Sequence, residues 1–68
     1  MITELGIIAG EIWHYLDHHG DSTLSSLVEH LDEPRDTILM SLGWLAREGH
    51  VMLRAEGQDY RVSFLRKG

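Results

Sequence analysis

The sequence predicts a mainly α fold closed by a small β-hairpin, and three observations carry that prediction. Apolar residues recur at helical spacing in three segments, near residues 3–18, 24–31 and 34–48. A tight turn, Leu31-Asp32-Glu33-Pro34, joins the second segment to the third. After Gly49 the period switches from helical to two, over residues 51–56 and 59–65. A helix presented by a preceding helix and followed by a hairpin is the back half of a winged helix-turn-helix. The expected architecture is three helices plus a two- or three-stranded wing, in one domain over residues 1–68.

In the first helix Leu5, Ile8, Ala9, Ile12 and Leu16 make one apolar stripe with Trp13 beside it. Gly6 and Gly10 stack along its edge. Glycine costs about 1 kcal/mol inside a helix relative to alanine, so two at this spacing predict the close approach of another backbone, within the domain or on a second subunit. The opposite face carries Ile7, exposed, and the stripe Glu11, His14 and His18. Glu-x-x-His with a further histidine one turn on has the spacing of three metal ligands. Standing alone on a helix, it has no partner to orient it. It is read as a solvated face, and no metal or cofactor is expected. His18-His19-Gly20 ends the helix, with Gly20 as the stop.

Asp21-Ser22-Thr23 starts the second helix, with Ser22 or Thr23 as N-cap. Leu24, Leu27, Val28 and Leu31 form its apolar side. In the third, Pro34 suits the first helical position and Gly49 the left-handed stop. Placed at about 100° per residue, Ile38, Leu42, Leu45 and Ala46 face the core, with Leu39 and Ser41 at its margins. Asp36, Met40, Gly43, Trp44 and Arg47 face outward, where a helix-turn-helix reads the major groove.

Val51, Leu53 and Ala55 alternate with Met52, Arg54 and Glu56, and Tyr60, Val62 and Phe64 with Arg61, Ser63 and Leu65. Gly57-Gln58 between them suits a type II′ turn. That register sets Glu56 opposite Asp59, Arg54 opposite Arg61 and Met52 opposite Ser63. Like charges facing each other are unfavourable, and the diagonals Arg54–Asp59 and Glu56–Arg61 would relieve both pairs. Alternatively the two arginines straddle a phosphate. A short strand around Ser22–Leu24 is expected to pair with the hairpin. The expected core is Leu5, Ile8, Ile12, Leu16, Leu27, Leu31, Ile38, Leu42, Leu45, Val51, Leu53, Val62 and Phe64.

The chain has 68 residues, 43% of them apolar, and no cysteine, so neither disulfides nor thiolate metal sites staple it. A core of this size rarely supplies more than about 3–5 kcal/mol, which favours a homodimer or a bound protein partner. The N-terminus MITELG is acidic, with no basic leader and no membrane-length apolar run, so a cytoplasmic location and no membrane contact are expected. No serine has a His–Asp set and no glycine-rich loop follows a strand, so neither an enzyme nor a small-molecule substrate is expected.

The formal net charge of −5 argues against general affinity for polyanions. It is unevenly spread: residues 1–33 hold seven acidic side chains and no Lys or Arg, giving −7, while residues 34–68 hold all six basic ones against four acidic, giving +2. A DNA-binding surface would draw on Arg35 and Arg47 at the helix, Arg54 and Arg61 on the wing, and Arg66 and Lys67 in the tail. A protein-binding surface would instead use Met40, Gly43, Trp44 and Ile7, since aromatic and Met side chains are enriched at interfaces. Trp44 is open to three readings: packed under the wing as core, in a protein contact, or stacked on a base or sugar.

Leu5-Gly6, Ala9-Gly10-x-x-Trp13, Ser41-Leu42-Gly43-Trp44-Leu45-Ala46-Arg47-Glu48-Gly49-His50-Val51 and Tyr60-x-Val62-Ser63 resemble a small prokaryotic winged helix-turn-helix family of largely uncharacterised proteins. The resemblance spans nearly the whole chain. It implies three helices plus a wing and, by analogy of fold, a transcription-regulator-like module that binds duplex DNA. The function expected is therefore a DNA-binding module of transcription-regulator type, with a protein-interaction winged helix using the Met40 and Trp44 face as the alternative, since groove-reading helices carry hydrogen-bonding side chains that Gly43 and Trp44 of the shared motif do not supply.

Overall fold

A computed structural model describes residues 2–65, with only the backbone of Ile2 and Thr3. The elements run α1 (Ile2–His19), β1 (Ser22–Thr23), α2 (Leu24–Leu31), α3 (Arg35–Arg47), β2 (Val51–Glu56) and β3 (Asp59–Phe64). The three strands form one antiparallel sheet in the order β1-β3-β2. Three helices, a helix-turn-helix and a three-stranded wing are the expected fold.

The caps explain the boundaries. Thr23, not Ser22, is the N-cap of α2: its Oγ1 accepts the Ser26 N–H at 3.1 Å. Pro34 lies one step outside α3 rather than in its first turn. Its ψ of 142° is extended, while its carbonyl accepts the first helical bond, from Ile38, at 3.0 Å. At the other end the Gly49 N–H bonds the Ala46 carbonyl at 3.1 Å and the His50 N–H bonds Leu45 at 2.9 Å. That is a Schellman closure, and Gly49 takes the left-handed φ of 79° it requires. The helix therefore stops at Arg47, and His50 already leads into β2.

The hairpin has the expected register, Leu53 opposite Val62, Arg54 opposite Arg61 and Glu56 opposite Asp59. Gly57 has φ of 62° while Gln58 keeps negative φ, as in a type II′ turn. β1 pairs Ser22 with Val62 and Thr23 with Arg61. Leu24, expected at the end of this strand, instead opens α2. β3 ends at Phe64, one residue early, although the Leu65 N–H still bonds the His50 carbonyl at 2.9 Å.

Ile12, Leu16, Leu24, Leu27, Ile38, Leu42 and Val62 are fully buried between the helices and the inner face of the sheet. Leu31, Leu53 and Phe64 are corrected from core to its partly buried margin. Leu31 ends its helix beside an open groove, and the two strand residues lie toward the rim of a small sheet. Leu24 and Ala9 take places in the core, as does Ser41. The Ser41 hydroxyl tolerates burial because it donates to the Thr37 carbonyl at 2.9 Å, with the Leu5 carbonyl of α1 at 3.5 Å as an alternative acceptor. Among the described residues no backbone approaches Gly6 or Gly10: a Cβ at either would meet nothing within 4 Å, so they do not supply the close approach expected inside the domain.

Candidate recognition surface

Helix α3 is fixed by its inward residues, and that fixes what it shows to solvent. Ile38, Ser41, Leu42 and Leu45 are buried, while Asp36, Met40, Gly43, Trp44 and Arg47 are all exposed. Met40 is 49% and Trp44 39% exposed. Trp44 is not part of the core cluster, so the reading in which it lies under the wing as core is corrected. Gly43 lies between Met40 and Arg47 on this face, and a Cβ there would meet nothing within 4 Å. The centre of the face is thus a notch beside two large apolar side chains.

The wing answers its like-charge pairs in an unexpected way. The diagonal Glu56–Arg61 forms, with Arg61 Nε donating to Glu56 Oε2 at 3.1 Å. The diagonal Arg54–Asp59 does not. Asp59 Oδ1 instead accepts the Tyr60 N–H at 2.8 Å and the Ser25 N–H at the start of α2 at 3.1 Å. Beside it, Arg35 Nη2 donates to the Gln58 carbonyl at 3.3 Å. The hairpin tip is therefore held to the first turns of both α2 and α3. These bonds keep the Asp59 carboxyl below its usual range, through the Tyr60 N–H first, then Ser25 and the Arg35 charge, against some desolvation. Sequence reasoning missed this role for Arg35 and Asp59, since nothing local links residue 59 to residue 25.

Of the six basic residues expected at a DNA surface, Arg66 and Lys67 lie outside the described residues. Arg35 is bonded to the wing tip and Arg61 to Glu56, leaving Arg47 and Arg54 without an ion-pair partner among the described residues. Over residues 34–65 the four arginines are matched in number by Asp36, Glu48, Glu56 and Asp59. The surface made by α3 and the wing is electrically near neutral. Ile7, 61% exposed, belongs to α1 and its outer stripe.

On that side Glu11, His14, Tyr15, His18, His19 and Leu31 line an open groove between α1 and α2. Tyr15 stacks on His19 at 4.2 Å between ring centroids. The expected stripe Glu11, His14 and His18 does not close into a three-ligand set: no group of three metal-ligating side chains is formed among the described residues. No helix among them is long and apolar enough to cross a membrane.

The fold has a solved counterpart. The solution NMR structure of protein BT2368 from Bacteroides thetaiotaomicron superposes with a TM-score of 0.78 at 22% identity, covering 91% of this chain and 76% of that one. No curated protein is significantly similar. A winged helix is the scaffold of DNA-binding and regulator-like modules generally, and such domains are typically non-enzymatic. The family profile named winged helix-turn-helix domain (DUF2582) matches residues 2–64, and the chain belongs to that family.

Proposed function

We propose that this chain is a regulator-like winged-helix module without enzymatic activity, whose α3 face recognises a protein. The observation that carries this is the exposed trio Met40, Gly43 and Trp44 at the place where a DNA reader presents hydrogen-bonding side chains. The partner is apolar where it meets Met40 and Trp44, and near neutral around them, because Asp36 and Arg47 border the face with opposite signs. The open notch at Gly43 admits a side chain from it. A second copy of this chain is one such partner.

Binding of duplex DNA is the second reading, favoured by Arg54 and Arg61, which lie directly opposite each other on the exposed face of the wing. Contacts would be to phosphate, helped by Arg47, and base readout would be thin. A salt-dependent titration with mixed-sequence duplex DNA separates the two. Each neutralised phosphate contributes a slope of about −0.9 in log K against log salt. We expect no binding near 50 mM salt, as a neutral surface on an acidic chain implies. A steep slope that the Arg54→Ala/Arg61→Ala variant flattens would establish the wing as a DNA clamp and replace the protein reading.

A further inference from the structure

The outer stripe of α1 holds an arrangement that its sequence could not show. His14 and His18 are one helical turn apart on the same exposed face, with ring centroids 4.4 Å apart and planes tilted by 53°. His18 Nδ1 lies 2.9 Å from the His14 carbonyl. A carbonyl only accepts, so Nδ1 carries a proton, and in the neutral ring Nε2 is the nitrogen with the lone pair. This is the orienting partner that metal-ligating histidines ordinarily have: the ring's other N–H bonded to a backbone carbonyl. Its absence was the reason for reading the stripe as a solvated face.

We propose that His14 and His18 form a two-nitrogen site for a borderline-soft divalent transition ion such as zinc or nickel. Imidazole nitrogen suits these ions, whereas magnesium and calcium demand oxygen. Glu11, one turn before His14, does not close on the pair as a third ligand but adds negative charge to the same stripe. The first 33 residues carry seven carboxylates and no Lys or Arg, so the local field favours a cation. Two nitrogens leave coordination positions open to water or to a further donor, which keeps the ion exchangeable. His19 and His30 make the same bond, with Nδ1 at 3.0 Å from the Tyr15 carbonyl and 2.8 Å from the Ser26 carbonyl, but the ring beside each of them is Tyr15 and not a second imidazole.

The test is a zinc chloride titration of the whole chain at neutral pH, following the histidine ring resonances by NMR. The His14 and His18 signals are expected to move together and saturate at one equivalent, and magnesium chloride is expected to move neither. His14→Ala and His18→Ala should each weaken binding by at least about tenfold, the lower end of what losing even an orienting partner does at metal sites. His19→Ala and His30→Ala should leave it unchanged. All four positions lie on the surface, and circular dichroism of each variant checks that it remains folded. Binding that survives His14→Ala, or that every one of the four substitutions weakens equally, means diffuse surface association and overturns the site. So does an equal response to magnesium.

Discussion

At the scale of single residues, burial separates the side chains that hold the fold from those that are free to act. Ile12 is fully buried at the centre of α1, so Ile12→Ala removes transfer energy and leaves a cavity, about 2–5 kcal/mol together. Against a core worth about 3–5 kcal/mol, that substitution leaves the chain largely unfolded in a urea titration at 25 °C. Met40→Ser on the exposed face of α3 should move the same curve by no more than about 0.5 kcal/mol. Asp59 acts through its charge. Its carboxyl is held below the ordinary value of 3.8, so its contribution is fully present above that pH and is lost as pH falls through the lower folded value. Hydrogen exchange at the Ser25 amide should therefore report a firm wing latch at neutral pH and its loosening in acid. Asp59→Asn should already be loosened at neutral pH; equal protection in variant and wild type would remove the latch.

The elements depend on their ends as much as on their stripes. α3 closes through Gly49, whose left-handed φ of 79° lets the His50 and Gly49 amides reach back to Leu45 and Ala46. Nothing crowds a Cβ at this position, so the penalty for alanine is conformational only. Gly49→Ala should lower stability by about 1–2 kcal/mol, the cost of placing an L residue in that region. Little or no loss in denaturant midpoint would mean that α3 ends by another route. The helix ending also sets where the recognition face stops, because Arg47 is its last residue and β2 begins at Val51.

For the whole molecule the decisive quantity is how charge and apolar surface are distributed. The α1–α2 half is acidic, the α3–wing surface is balanced, and Met40 and Trp44 stand exposed on that balanced surface. Self-association through this face should appear in sedimentation velocity at high micromolar concentration, persist in high salt and disappear in Trp44→Ala. Screening leaves apolar contacts intact while it weakens exposed charge pairs beyond a Debye length of about 8 Å at physiological salt. A clean monomer under these conditions would exclude the second copy and leave another protein as the partner. Loss of association on raising salt would point to charge rather than to Trp44.

The sequence by itself determined the elements, because each is written in local terms. Periodicity set α1, α2 and α3, glycines at 20 and 49 set two of their ends, and Gly57-Gln58 fixed the hairpin turn and hence its register. The outward face of α3 was equally legible, since a helix whose inner stripe is known has only one outer stripe. What only the tertiary structure decided were the contacts between residues far apart in the chain. Asp59 bonds an amide 34 residues away rather than the diagonal Arg54, and Arg35 reaches the wing tip rather than solvent. Trp44 lies on that outer stripe, but the pattern left open whether the wing folds over it; packing of α3 on α1 and the sheet leaves it exposed. The orientation of the His18 ring was hidden for a different reason. A hydrogen bond to a carbonyl one turn back depends on a side-chain rotamer, which helical spacing permits but does not specify.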